Sequence, residues 1–101
     1  MSNCEAIQNL FCNNNNLTEL KGVNNFTHLR KLHCYKNLLK KLDCSGLSEL
    51  EELYSQECFL NSIKLDSCTG LKECDLAENE LKNVDSTDCA KLIDYQCEIM
   101  L

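Results

Sequence analysis

The stretch Leu29-Arg30-Lys31-Leu32-His33-Cys34-Tyr35-Lys36-Asn37-Leu38-Leu39-Lys40-Lys41-Leu42 decides the fold, because the chain repeats its pattern along its whole length. Apolar residues stand at its first, fourth, sixth, eleventh and fourteenth places, with Asn at the ninth. Leu50, Leu71 and Leu92 reopen the pattern at one constant interval, and Ile7 opens it upstream at that interval plus a single residue. The first copy runs Ile7, Leu10, Cys12, Asn15, Leu17, Leu20, and the fourth runs Leu71, Cys74, Leu76, Asn79, Leu81, Val84. The third, Leu50, Leu53, Ser55, Cys58, Leu60, Ile63, has Cys at the Asn place, and the fifth begins Leu92, Tyr95, Cys97 and has Met100 there. One unit of this length cannot bury its own apolar face, so a fixed period implies a solenoid of stacked copies. Five copies exceed the roughly three that such a stack needs to enclose a continuous core.

Within each copy the fourth and sixth places alternate with polar residues, which is the period of a strand. The Asn at the ninth place closes the turn that follows. Its amide satisfies backbone groups that would otherwise be buried unpaired, at a cost of roughly 1–3 kcal/mol.

The pattern reads L-x-x-L-x-L-x-x-N/C-x-L and resembles the leucine-rich repeat family over about residues 4–101. Cys58 is an accepted substitute at the ninth place in that family and Met100 is not, so the last turn is expected to be frayed or differently built. The resemblance implies an α/β fold: a short curved solenoid with five parallel strands on its concave face and irregular or short helical turns on its convex side. With 101 residues, three Gly and no Pro, the chain offers no linker and is read as a single domain, 1–101.

No run approaches the roughly 18 apolar residues of a membrane span, and residues 1–10 lack a basic start followed by an apolar core. A cytoplasmic protein is therefore expected. Its nine cysteines would otherwise suggest a secreted disulfide scaffold. Their places argue against that. Cys12, Cys34 and Cys97 hold the sixth place, Cys74 the fourth and Cys58 the ninth. Cys4, Cys68 and Cys89 lie three residues before a copy begins, where Phe26 and Leu47 sit elsewhere, and Cys44 stands where Leu65 does. Each replaces an inward apolar residue, so each is read as a buried, reduced thiol.

No Cys-x-x-Cys or His-x-x-x-His spacing is present, so no metal or cofactor is expected. His33 and Cys34 are neighbours on a strand and face opposite sides, which denies them a catalytic dyad. His28 lies in a turn before the second copy and is read as solvated. The sequons Asn16-Leu17-Thr18 and Asn25-Phe26-Thr27 are silent in a cytosol. The chain is read as a protein without enzymatic activity.

In the leucine-rich repeat arrangement, the second, third, fifth, seventh and eighth places point outward from the concave sheet. The fifth place reads Phe11, His33, Tyr54, Asp75, Gln96, and the seventh Asn13, Tyr35, Gln56, Ala77, Glu98. The third reads Asn9, Lys31, Glu52, Glu73, Asp94, while the second and eighth supply Arg30 and Lys36. Exposed aromatics with polar tips are common anchors of protein interfaces, which makes Phe11, Tyr35 and Tyr54 candidate contacts. Charge is divided along the grid. Residues 1–49 hold six Lys/Arg and four Asp/Glu, net +2, whereas residues 50–101 hold four Lys and twelve Asp/Glu, net −8.

These patterns predict a protein partner on the concave face, with a basic patch drawn to Glu52, Glu73, Asp75 and Asp94. Arg30, Lys31, His33 and Lys36 are expected to meet acidic groups, and Gln56 and Gln96 complete the surface. Nucleic acid and membrane are disfavoured by the net charge of −6. Leu38 and Phe59, neighbours at the tenth place, offer a smaller flank. Two further expectations concern role. Ile99, Met100 and Leu101 leave an apolar strand edge, so assembly within a longer or oligomeric array is the alternative to a binding module. The composition also resembles repeat proteins that intracellular bacterial pathogens deliver into host cells by non-classical routes. That resemblance implies a regulator or inhibitor that covers another protein's active site.

Overall fold

The computed structural model describes residues 6–97. Cys4, Glu98, Ile99, Met100 and Leu101, and with them the expected frayed turn and apolar edge, lie outside the described residues. Among the described residues, seven strands of three or four residues make up nearly all of the regular structure: β1 Asn9–Phe11, β2 Lys31–His33, β3 Lys41–Asp43, β4 Glu52–Tyr54, β5 Ser62–Lys64, β6 Glu73–Leu76 and β7 Asp94–Cys97. Five of them form one parallel sheet in the order β1-β2-β4-β6-β7, and β3 pairs with β5 in a second parallel sheet.

The register follows the repeat. Leu10, Leu32, Leu53, Cys74 and Tyr95, all at the fourth place, stand opposite one another across the large sheet. The two sheets face each other across a single core in which Leu29, Leu32, Leu39, Leu50, Leu53, Leu60, Leu71, Leu76 and Leu81 are fully buried. Burial of each such leucine stabilises the fold by roughly 1.5–3 kcal/mol. In the first copy Ile7, Leu10, Leu17 and Leu20 are only half-buried, since one flank of that coil packs against no other coil among the described residues.

The ninth-place asparagines stitch one coil to the next. Asn37 accepts from the Leu17 N–H at 3.1 Å and donates to the Cys12 and Cys34 carbonyls, each at 3.0 Å. Asn79 repeats this with the Leu60 N–H at 2.9 Å, the Ser55 carbonyl at 2.9 Å and the Leu76 carbonyl at 3.1 Å. Between them Cys58 donates a weak thiol bond to the Cys34 carbonyl at 3.4 Å and meets the Ser55 hydroxyl at 3.8 Å. Ahead of each of these residues the chain turns through the left-handed region, at Asn14, Lys36, Glu57 and Glu78.

The expected α/β class is corrected. Among the described residues the structure is a parallel β-solenoid with almost no helix, and its second side is mainly strand and turn. That side carries β3 and β5, at the thirteenth to fifteenth places, and a short 3-10 helix at Val23–Asn25. The physical reason is chain length. Once two strands and their turns are built, about six residues remain before the next copy begins, too few to nucleate a stable helix. They are used in tight turns: Asp43 accepts from the Ser45 N–H at 2.9 Å, Gly46 turns through φ 84°, and Leu47 N–H reaches the Cys44 carbonyl at 3.2 Å.

Candidate functional site

The outward face of the five-stranded sheet gathers the grid residues, because successive side chains of a strand alternate and the inward set is fixed by the core. On its first three strands lies a ladder of rings. Phe11, 58% exposed, sits with its ring centroid 4.6 Å from that of His33, and His33 is 4.6 Å from Tyr54. Tyr35 flanks the ladder at 6.4 Å from His33. Each ring shields its neighbour and still presents an edge or a face outward.

The basic cluster is satisfied within the molecule. Arg30 pairs with Glu51 at 3.0 Å, Lys31 with Glu52 at 3.8 Å, and His33 Nε2 reaches the other Glu52 oxygen at 3.2 Å. The Arg30 guanidinium holds the Glu51 carboxyl below the usual carboxylate range. His28, expected in solvent, lies 2.9 Å from Glu49 and is more than half exposed. Lys36 stands apart, on the turn beyond β2 with φ 57°.

The far half of the face is different. Glu52, Glu73 and Asp94 stand in register on β4, β6 and β7, and Asp75 opposes Tyr54. Tyr54, Glu73, Asp75, Asp94 and Gln96 line a shallow recess of about 100 Å³. The Tyr54 hydroxyl donates to Glu73, and this bond, with partial desolvation and the nearby carboxylates, pushes the phenol up to about 12. Asp75 accepts from the Ala77 N–H at 3.0 Å and so caps its own turn. None of the ion pairs among the described residues involves Glu73, Asp75 or Asp94. Gln56 is half-buried, and its Oε1 finds no hydrogen-bond partner among the described residues.

Leu38 and Phe59 are both exposed and border one hollow with Thr18 and Lys40, beside the asparagine turns. Among the described residues, no group of His, Cys, Asp and Glu is arranged to hold a metal ion. The eight described cysteines are free thiols. Cys34, Cys44, Cys58, Cys68, Cys74 and Cys89 are buried, Cys12 and Cys97 partly so. Burial is the main cause that pushes Cys34 and Cys68 up to about 12, and it raises Cys44 and Cys74 as well. A thiol that holds its proton so firmly is a poor nucleophile and a poor metal ligand.

The sequence pattern placed the right side chains on one face but missed how they bind one another. The ion pairs join residues of successive copies, and the only signal for them was the change from basic to acidic between the second and third copies.

Residues 5–97 match the family model of the leucine-rich repeat domain of the endo-beta-N-acetylglucosaminidase EndoS. The chain belongs to the leucine-rich repeat family. No curated protein and no solved structure matches it. Leucine-rich repeat domains are in general protein-interaction modules.

Proposed function

We propose that the chain is a non-catalytic protein-binding module that presents the outward face of its five-stranded sheet to a partner with a basic patch. By covering part of that partner's surface it acts as a regulator or inhibitor, in a cytosol where its thiols stay reduced. One observation carries the reading: Glu73, Asp75 and Asp94 have no cation paired with them among the described residues and stand beside a partly exposed ring ladder. Like charges on neighbouring strands cost the free protein stability, and an electropositive partner reverses that cost while the carboxylates steer its approach.

The experiment is affinity capture with the purified chain as bait, followed by measurement of the partner's binding to variants. Tyr54→Ala should weaken binding by about 2 kcal/mol, as removal of a central aromatic anchor does. Glu73→Lys with Asp75→Lys should slow association and flatten its salt dependence. If both variants bind like the parent while changes at Leu38 and Phe59 abolish binding, the face is not the site. Edge-to-edge assembly is a second reading. It is favoured by Ile93 and Tyr95, 83% and 40% exposed, the first beside and the second on β7, the outermost strand among the described residues. Light scattering that shows a concentration-dependent array would support it.

A further inference from the structure

The outward face has a direction. Running across the strands from β1, it presents the rings of Phe11, His33 and Tyr54 first and the carboxylates of Glu73, Asp75 and Asp94 afterwards. A ligand that crosses the strands therefore meets apolar chemistry over one half and negative charge over the other. The spacing of these rows is also set, because strands in a sheet lie about 4.8 Å apart.

Two kinds of peptide backbone can lie across such rows, and their periods differ. A helix places same-face side chains at i, i+4, i+7 and i+11, which fall at about 0, 6, 10.5 and 16.5 Å along its axis. An extended chain places them at every second residue, about 6.8 Å apart. Four successive strands span about 14.4 Å, so the fourth anchor of a helix falls about 2 Å out of phase, whereas that of an extended chain falls about 6 Å out. Only the helix keeps one side chain over each strand.

On the reading that this face binds a protein, we propose that its occupant is an amphipathic helix of the partner, lying across the strands. The helix sets apolar side chains at i and i+4 over the ring ladder and Lys or Arg at i+7 and i+11 over Glu73, Asp75 and Asp94. The charge order of the face selects a ligand with one apolar and one basic end, and the spacing i, i+4, i+7, i+11 reads the same in either chain direction. A helix with its cations at the ladder end meets rings already stacked and the paired cations Arg30 and Lys31, so it gains neither contact. About three helical turns cover the face, a helix-in-groove mode of recognition with few anchors.

The test pans the full-length chain against two displayed peptide libraries, one on a helical scaffold and one in proline-containing extended loops. The expected result is enrichment from the helical library of clones with apolar residues at i and i+4 and Lys or Arg at i+7 and i+11, or the same two pairs in the reverse order for a helix that crosses in the opposite direction. Tyr54→Ala should lower their affinity by about thirtyfold. Panning the Glu73→Lys, Asp75→Lys variant should replace the selected cations with Asp or Glu. Enrichment from the extended library alone, or helical clones that do not segregate apolar and basic anchors into two halves, overturns the helix while the binding face stands. Clones indifferent to Tyr54→Ala and to charge reversal overturn both, as does the absence of enrichment from either library.

Discussion

The two faces of the five-stranded sheet are built from the same strands and obey opposite rules. Inward, Leu32, Leu53 and Cys74 do one job three times, and each is at most 2% exposed. Outward, His33, Tyr54 and Asp75 occupy equivalent places and do three different things: one stacks, one donates to Glu73, and one caps its turn. The inward face carries the free energy of folding and tolerates little change. The outward face contributes little to folding, and its residues are freer to differ from strand to strand.

The largest effect expected from that contrast is a core truncation. Leu53→Ala should cost about 2–5 kcal/mol, whereas Tyr54→Ala, its neighbour on the other face, should cost the fold well under half as much. Denaturant unfolding of the two variants checks this. Similar losses would mean that the ring ladder is part of the structural core.

The buried thiols make a second inward test, through pH. Cys34 and Cys68 hold their protons to about 12 when folded, above the ordinary thiol value near 9 that they regain on unfolding. A group whose folded pKa is raised contributes its full stability below the unfolded value and loses it as pH rises toward the folded one. Stability should therefore be flat to about pH 8.5 and fall steeply between about 9 and 12. Unfolding measured under reductant across this range decides it. A flat profile through about pH 10.5 would show that the thiols are not desolvated.

Smaller still is the effect of the break in the asparagine ladder. Asn79→Ala should lower stability by roughly 1–3 kcal/mol, because it strips partners from the Leu60 N–H and the Ser55 and Leu76 carbonyls. Cys58→Asn is expected to do the reverse, by about 1 kcal/mol, since an amide there can serve Leu39, Cys34 and Ser55 as Asn37 serves Leu17, Cys12 and Cys34. A loss of stability in Cys58→Asn would mean that the third turn is shaped for sulfur.

The inward face was readable from the sequence because its cause is periodic. The same packing site recurs once per copy, so Leu29, Leu50 and Leu71 announce one another. The second sheet was not readable. Lys41–Asp43 and Ser62–Lys64 pair, yet Glu19-Leu20-Lys21 at the same places does not. The first copy also differs in being one residue longer than the three that follow and in carrying the 3-10 helix. Pairing there depends on small differences in turn geometry that residue type does not encode. The outward face was half readable: burial assigned Phe11, Tyr54 and Glu73 to it, but which group each would hold depends on side-chain reach between coils.

The least effect, and the sharpest test of the outward face, comes from single charges at its two ends. Arg30 is paired with Glu51, the first exposed and the second about one-third exposed, so solvent screening leaves the pair little to contribute. Arg30→Ala should destabilise slightly. Asp94 closes a row of three carboxylates with Glu52 and Glu73 on adjacent strands, where like charges repel. Asp94→Asn should stabilise slightly, by a few tenths of a kcal/mol. The opposite signs matter more than the sizes, because they separate a half of the face that is satisfied within the molecule from a half that is not. Both changes should shrink toward zero in about 1 M salt, where charges more than a few ångströms apart are screened. If Asp94→Asn destabilises instead, that carboxylate has a partner inside the protein, and the acidic half of the face is no more open to a ligand than the basic one.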